Sequence, residues 1–161
     1  ILLFGFSLYV ERLSRVEVSK KSIASFSLPV LGNSNEVITE AALKGKIQLV
    51  HFWATWCNSC KREHPFIKKL TQDLHLPIIG IGYLESESAV QAFLEEHGDP
   101  YSLNLVDQKR TLSFEWGVSG VPETLLIDKE GNIRYRFKGN LNDSTVEKYL
   151  KPAIEALKNE I

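Results

Sequence analysis

The densest run of apolar positions lies at residues 47–54, where β-branched and aromatic side chains follow one another almost without interruption. Such a run is typical of a central strand that is buried on both faces of a sheet. The spacing then changes, because Phe66, Ile67, Leu70 and Leu74 recur at helical intervals. This pattern predicts a helix over residues 61–76.

Shorter apolar segments then alternate between strand-like and helical periods. They predict a strand at 77–83, a helix at 86–97 that ends at Gly98, a strand at 103–106 and a helix at 108–116. Residues 124–128 and 133–137 flank the turn sequence KEGN, which predicts an antiparallel hairpin. A last helix is expected to start at a capping box of Ser144 and Glu147, and Pro152 should kink it or begin a second segment.

The order of these elements indicates the fold class. Residues 26–28 alternate as a short strand and residues 31–35 have the composition of a turn, which predicts an N-terminal hairpin. The order after this hairpin is β-α-β-α-β-α-β-β-α. It indicates an α/β fold, with a mixed central sheet flanked by helices on both faces and an N-terminal hairpin extension.

The N-terminal residues 1–10 form an apolar run that the charged residues Glu11 and Arg12 follow. A helix that spans a bilayer needs about 20 apolar residues, so this run is too short by itself. We interpret residues 1–13 as the remnant of an N-terminal membrane anchor, 14–25 as a tether and 26–161 as one domain. The alternative is an extra strand or helix that packs on the domain or on a neighbouring molecule.

Charge and cysteine content narrow the function. The net charge of −1 provides no field that would attract phosphate backbones, so we expect no nucleic-acid partner. The chain has two cysteines, Cys57 and Cys60, which are separated by two residues. A bridge across so short a loop does little for stability, and the spacing therefore favours reversible redox chemistry.

Disulfide exchange requires one ionised, accessible thiol and a second thiol that resolves the mixed disulfide. If Cys57 opens the helix, the free amides and the dipole at that terminus favour its thiolate. Cys60 would then lie one turn further on and would be less exposed. We therefore assign Cys57 as the attacking thiol and Cys60 as the resolving thiol.

The alternative for this cysteine pair is half of a zinc or copper site. A structural zinc site needs four ligands, and the chain offers no second cysteine pair. The four histidines, His51, His64, His75 and His97, show no paired spacing. The sequence thus favours redox chemistry without a metal or another cofactor.

Two segments resemble the thioredoxin family. Residues 52–60 (FWATWCNSC) resemble its active-site segment, and Pro65 stands where thioredoxins kink the following helix. Residues 117–124 (GVSGVPET) look like the loop that carries the cis-proline of the thioredoxin fold. The ending Glu-Thr is similar to the membrane-anchored thioredoxins of cytochrome c maturation, called CcmG or DsbE, whose relatives are TlpA and ResA. The resemblance extends from about residue 25 to residue 157.

This resemblance implies a thioredoxin fold and a protein-disulfide reductase of the periplasm, anchored to the inner membrane by its N-terminus. Its expected substrates are apocytochrome c or the components of haem ligation, and a DsbD-type membrane reductase would recharge it. The uncharged pair Asn58 and Ser59 agrees with a reductant, because strongly oxidising relatives carry a His between the cysteines that stabilises the thiolate.

Three titratable residues are candidates for proton transfer or for tuning the thiol pKa. Glu63 lies one turn beyond Cys60, and Glu123 follows the expected cis-proline, so both carboxylates are predicted to face the thiols. For Glu63, a solvated helix position is an equal alternative. His51 stands six residues before Cys57, where general thioredoxins have a buried Asp; it is either a proton relay or a hydrogen-bonded core histidine.

Substrate contact is expected from Trp56 and from the backbone of Val121, which can pair with an extended peptide. Pro122, predicted to follow a cis peptide bond, and Thr124 complete the predicted substrate-binding set. Two other functions stay open: a substrate-binding module of the maturation machinery with incidental redox turnover, and a general disulfide oxidase or isomerase. We expect a monomer.

Overall fold

A computed structural model describes residues 15–160, which contain eight strands, four helices and a short 3-10 helix. The strands are β1 (Val16–Ser22), β2 (Ser27–Val30), β3 (Asn33–Thr39), β4 (Gln48–Trp53), β5 (Ile78–Tyr83), β6 (Leu103–Asp107), β7 (Glu123–Ile127) and β8 (Asn132–Lys138). The helices are α1 (Asn58–Leu74), α2 (Glu87–His97), α3 (Thr111–Glu115) and α4, which joins Asp143–Thr145, the π-helical Val146–Leu150 and Lys151–Lys158. A 3-10 helix, Glu40–Leu43, follows β3.

All eight strands form one mixed sheet in the order β1-β8-β7-β4-β5-β6-β2-β3. Strand β4 lies near the centre, parallel to β5 and antiparallel to β7. Every residue of β4 is buried, as its continuous apolar sequence predicts. The predicted α/β class with a mixed sheet is therefore confirmed.

Two apolar cores lie on opposite faces of the sheet because side chains alternate along each strand. Leu49 and Trp53 of β4 pack with α1, α2 and α4 on one side, which we call the α1 face. Val50 and Phe52 pack with α3 on the other side, the α3 face. This alternation decides which side chains near the end of β4 can meet the cysteines.

The predicted N-terminal hairpin is present as β2 and β3, joined at Leu31 and Gly32. Gly32 has a φ of 76°, a conformation that glycine adopts without a steric penalty. The single pairing of Val30 with Leu105 connects the hairpin to β6, so it extends the main sheet.

The predicted tether at residues 14–25 is wrong for residues 16–22. These residues form β1, which pairs antiparallel with β8 at the edge of the sheet. An edge strand is held through its backbone, so most of its polar side chains can stay in water, and its composition therefore resembles that of a linker. The predicted anchor at 1–13 lies outside the described residues.

The start of α4 also differs from the prediction. Asn142, and not Ser144, is the N-cap, and its side chain accepts a hydrogen bond from the Thr145 amide at 3.0 Å. Pro152 lies in the first turn of the segment Lys151–Lys158, so it begins a second segment, one of the two expected outcomes. Within residues 15–160, no helix has the length and apolar character that crossing a membrane requires.

Candidate active site

The cysteine pair lies where the central strand β4 passes into helix α1. Cys57 is the N-cap of α1, and its Sγ accepts a hydrogen bond from the Cys60 amide at 3.1 Å. The two cysteines are joined as a disulfide with Cα atoms 5.2 Å apart. Cys57 is 7% exposed and Cys60 is 3% exposed, so the predicted order of accessibility holds although both are largely covered.

The loop before β7 packs directly against this disulfide. The Val121-Pro122 peptide bond is cis, as the sequence predicts. The carbonyl oxygen of Val121 lies 3.7 Å from Cys57 Sγ, which places the backbone of this loop beside the attacking sulfur. Pro122 is held in turn by its own carbonyl, which accepts a hydrogen bond from the Gly139 amide at 2.9 Å.

A buried polar network lies on the α1 face of the sheet. His51 contacts the Tyr101 hydroxyl through Nδ1 at 2.9 Å and the Glu63 carboxylate through Nε2 at 3.2 Å. The second oxygen of Glu63 accepts a hydrogen bond from the Leu141 amide at 2.5 Å. Glu63 is buried, so it is not the solvated helix residue of the alternative interpretation. His51 has two buried hydrogen-bonding partners, an arrangement that both of its predicted roles share.

The Tyr101 hydroxyl orients the hydrogen bonds of this network. Burial raises the pKa of Tyr101 well above its ordinary value, with a smaller contribution from the Glu63 charge. Tyr101 is therefore protonated, and its hydroxyl can donate a hydrogen bond to His51 Nδ1, which leaves His51 Nε2–H to donate to Glu63. The Tyr101 ring fits because residue 80 is glycine: a Cβ there would lie 2.7 Å from the ring.

Glu123 is not part of this network, and the prediction that it faces the thiols is wrong. It pairs with Phe52 across the β4–β7 ladder, and therefore points to the α3 face. There its carboxylate is buried and forms an ion pair with Arg136, which also donates to the Trp116 carbonyl at 2.6 Å. Burial raises the pKa of Glu123, although hydrogen bonding and charge from Arg136 oppose this effect.

Thr124 takes the opposite orientation. It pairs with His51 across the same ladder and lies on the α1 face, where it is 1% exposed. A side chain so deeply buried does not meet a substrate at the surface, so the predicted substrate contact through Thr124 is wrong for its side chain.

Trp56 is 54% exposed beside Cys57, in a position that suits the contact predicted for it.

Three residues of the site have no counterpart in the sequence-based prediction: Tyr101, Arg136 and Glu85. Glu85 is buried and accepts hydrogen bonds from both the amide and the hydroxyl of Thr55, the hydroxyl at 2.8 Å. A signal for Glu85 exists in the sequence. It follows strand β5, and the carboxyl ends of the parallel strands β4 and β5 lie at the same edge of the sheet.

Metal ligands are not brought together in the described part of the chain. Among residues 15–160, no group of three or more His, Cys, Asp or Glu side chains is placed to hold a metal ion.

The sequence model of the Redoxin family matches residues 18–151. The chain belongs to the Redoxin family. Within residues 15–160, this redoxin presents the features of a dithiol site: an N-capping cysteine, a second cysteine one turn on, and a cis-proline loop against the first sulfur.

Curated relatives of this redoxin are named thiol:disulfide interchange proteins. It is 39% identical over 140 residues to DsbE of Pseudomonas aeruginosa, covering 87% of this chain and 77% of that protein. Over 154 residues it is 31% identical to DsbE of Allochromatium vinosum, covering 96% of this chain and 84% of the relative. CycY of Rhizobium leguminosarum bv. viciae is 37% identical over 118 residues, covering 73% of this chain and 63% of that protein.

Solved structures agree on the fold. A thioredoxin-family thiol:disulfide interchange protein from Chlorobium tepidum has a TM-score of 0.67 at 23% identity, covering 86% of this chain and 99% of that chain. A DsbF homologue from Corynebacterium diphtheriae has a TM-score of 0.72 at 18% identity, covering 86% of this chain and 92% of its own. This redoxin therefore has a thioredoxin-like fold, and its cysteine pair and relatives identify it as a thiol:disulfide oxidoreductase.

Proposed function

We propose that this redoxin is a reductant of apocytochrome c, or of the proteins that attach haem to it, and that it works in the periplasm, anchored to the inner membrane by its N-terminal segment. The observation that carries the proposal is a DsbE-like dithiol site in which the two residues between the cysteines, Asn58 and Ser59, are uncharged. Without a cation there, the reduced form loses one source of stabilisation, which favours donation of electrons.

The reaction begins from the reduced dithiol. The Cys57 thiolate attacks one sulfur of a substrate disulfide, forms a mixed disulfide and displaces the other substrate sulfur as a thiolate, which takes up a proton. Cys60 then loses its proton and attacks Cys57 Sγ, which releases the second substrate sulfur. Two electrons have moved from the enzyme to the substrate, and Cys57 and Cys60 end as the disulfide seen in the structure.

The proton that Cys60 loses needs an acceptor in a buried site. Glu63 follows Cys60 by three positions on α1, so the two residues lie on the same flank of the helix. The carboxylate can take the proton, and His51, hydrogen-bonded to it at 3.2 Å, can share the resulting charge. The cycle closes when a membrane reductase of the DsbD type returns two electrons to the disulfide.

The first test is to trap the mixed disulfide. A Cys60→Ser variant lacks the resolving thiol, so adducts should accumulate on Cys57 and can be isolated from periplasmic extracts and identified by mass spectrometry. The matched control is Cys57→Ser, which should form none of these adducts. We expect apocytochrome c or haem-ligation proteins among the adducts.

Other outcomes favour other functions. A broad mixture of adducts would favour a general oxidase or isomerase, as would a reduction potential near about −120 mV, the value of a strong oxidant. Support of cytochrome c maturation by a Cys57→Ala variant would favour a substrate-binding module in which redox turnover is incidental.

A further inference from the structure

Two large apolar side chains are exposed in neighbouring loops, one directly before Cys57 and one after β5. Trp56, the neighbour of Cys57, is 54% exposed, and Leu84, in the loop after β5, is 47% exposed. The indole Nε1–H of Trp56 lies 3.4 Å from the Leu84 carbonyl oxygen, to which it donates a hydrogen bond. The buried Tyr83 ring supports Trp56 from below, with ring centroids 6.3 Å apart. We call Trp56 and Leu84 the apolar platform.

Leu84 contradicts two local preferences at once. Its φ of 51° lies in the left-handed region, which glycine or asparagine adopts more readily than leucine. Its side chain is also largely in water although it is apolar. Residues that break local rules in this way concentrate at functional sites, where the surrounding structure holds them in place. Here the Leu84 amide is fixed by the Asp107 carbonyl at 3.2 Å.

Glu85 fastens the loop of Leu84 to the loop of Trp56. Its buried carboxylate accepts hydrogen bonds from both the amide and the hydroxyl of Thr55, the residue directly before Trp56. Two hydrogen bonds from Thr55 to one carboxylate restrain both the position and the orientation of Thr55. The platform is therefore held at a fixed place directly before Cys57 in the chain, and the Val121 carbonyl oxygen approaches Cys57 Sγ at 3.7 Å.

We propose that Glu85 is a positioning residue that holds the apolar platform beside Cys57, and that the platform binds an apolar side chain next to the cysteine of an extended polypeptide substrate. This inference rests on the exchange of polypeptide disulfides in the proposed function, and adds the substrate feature that the enzyme selects. Continuity with the reacting sulfur argues for this occupant, because the substrate cysteine must reach Cys57. The platform itself presents no charged group, since the Glu85 carboxylate is buried and engaged.

The test compares two peptides that contain the same disulfide, one flanked by Leu and one flanked by Ser, as substrates of the full chain, which an added thiol reductant returns to its dithiol form after each turnover. For the unmodified chain we expect kcat/KM to be about tenfold higher for the Leu peptide, mainly through a lower KM. Reduction of oxidised glutathione, which lacks an apolar flank, serves as the reference reaction.

Variants then locate the preference. Leu84→Asn keeps a residue that tolerates the left-handed backbone but removes the apolar side chain, and Glu85→Ala removes both bonds to Thr55. Each should reduce the preference to about twofold or less by raising KM for the Leu peptide. Glu85→Gln should restore most of it, because an amide can accept from the Thr55 amide and donate to its hydroxyl.

Equal kcat/KM values for the two peptides, or a full preference in Leu84→Asn, would overturn the inference. If Glu85→Ala does not fold, Leu84→Asn decides the result alone. Failure of the proposed function looks different: the Cys60→Ser variant then captures no cytochrome c maturation proteins, while the Leu peptide is still preferred.

Discussion

His51 illustrates how much one residue in this site depends on its neighbours. Both ring nitrogens are committed, one to Tyr101 and one to Glu63, and all three side chains are buried. Any change in the protons carried by the ring would therefore alter at least one of these two hydrogen bonds. A histidine with a purely structural role would occupy the same position as a proton relay. Kinetic measurements therefore distinguish the two roles.

For the relay we predict that His51→Ala slows reduction of a protein disulfide by about tenfold or more and changes the pH-rate profile. The physical reason is that Glu63 loses the partner that shares the proton from Cys60. Stopped-flow measurements from pH 5 to 9 would report this effect. Tyr101→Phe is the matched control, because it removes only the hydroxyl. An unchanged profile in His51→Ala would rule out the relay.

Arg136 is the single cation that the described structure places against Glu123 as an ion-pair partner. We predict that Arg136→Leu lowers the free energy of unfolding by about 3–5 kcal/mol, because it leaves a buried carboxylate unpaired. The loss should shrink at acidic pH, since a protonated Glu123 has no charge to compensate. Urea denaturation at pH 7 and pH 4.5 measures both effects, and the double variant Arg136→Leu/Glu123→Gln should recover part of the loss.

Glu63 and Glu123 show how far the sequence predicts the surroundings of a single residue. Both follow the redox motifs closely in sequence, and both are buried. Glu63 could be placed near Cys60 because helical spacing is local. The face occupied by Glu123 depends on the register between β4 and β7, which is a long-range property that the sequence pattern does not contain.

At the scale of elements, the start of α4 distinguishes two capping schemes. We predict that Asn142→Ala lowers the free energy of unfolding by about 1 kcal/mol, because the Thr145 amide loses its acceptor. Ser144→Ala is the matched control and should change stability by less than about 0.5 kcal/mol. If chemical denaturation showed a larger loss of stability for Ser144→Ala than for Asn142→Ala, the predicted capping box of Ser144 and Glu147 would be correct.

The elements that the sequence predicts well are those whose periodicity comes from burial. Strand β4 and helix α1 both show it, because one is covered on two faces and the other packs one face on the sheet. Strand β1 shows little of it: only Val16 and Ser19 are even partly buried. Its pairing with β8 is supplied by a segment more than 100 residues away, so local sequence composition could not reveal it.

At the scale of the whole molecule, the redox site lies away from the edge of the sheet that β1 forms. Strand β4, which leads to the cysteines, lies three strands from β1, with β7 and β8 between them. We predict that a variant beginning at Ile23 loses about 2–4 kcal/mol of unfolding free energy, because backbone bonds and packed apolar area disappear. Its rate of disulfide exchange should stay within about twofold of the full chain, since distant sites act independently.

Thermal unfolding followed by circular dichroism, together with the exchange assay, checks this prediction. An unaltered melting temperature would mean that β1 contributes nothing to the sheet. A large loss of activity in a folded truncated protein would mean that the edge strand and the site are coupled.

The opposite orientations of Glu123 and Thr124 have a consequence for how the chain can vary. The two neighbours follow Pro122 directly, and one side chain goes to each face of the sheet. If a residue gained or lost in the loop before β7 shifted the register of the strand against β4 by one position, every side chain of the strand would change sides. A carboxylate would then lie opposite His51, and Arg136 would face a residue without charge. The register that the segment between Gly117 and Pro122 sets for β7 is therefore as strict a requirement as the identity of the residues in it.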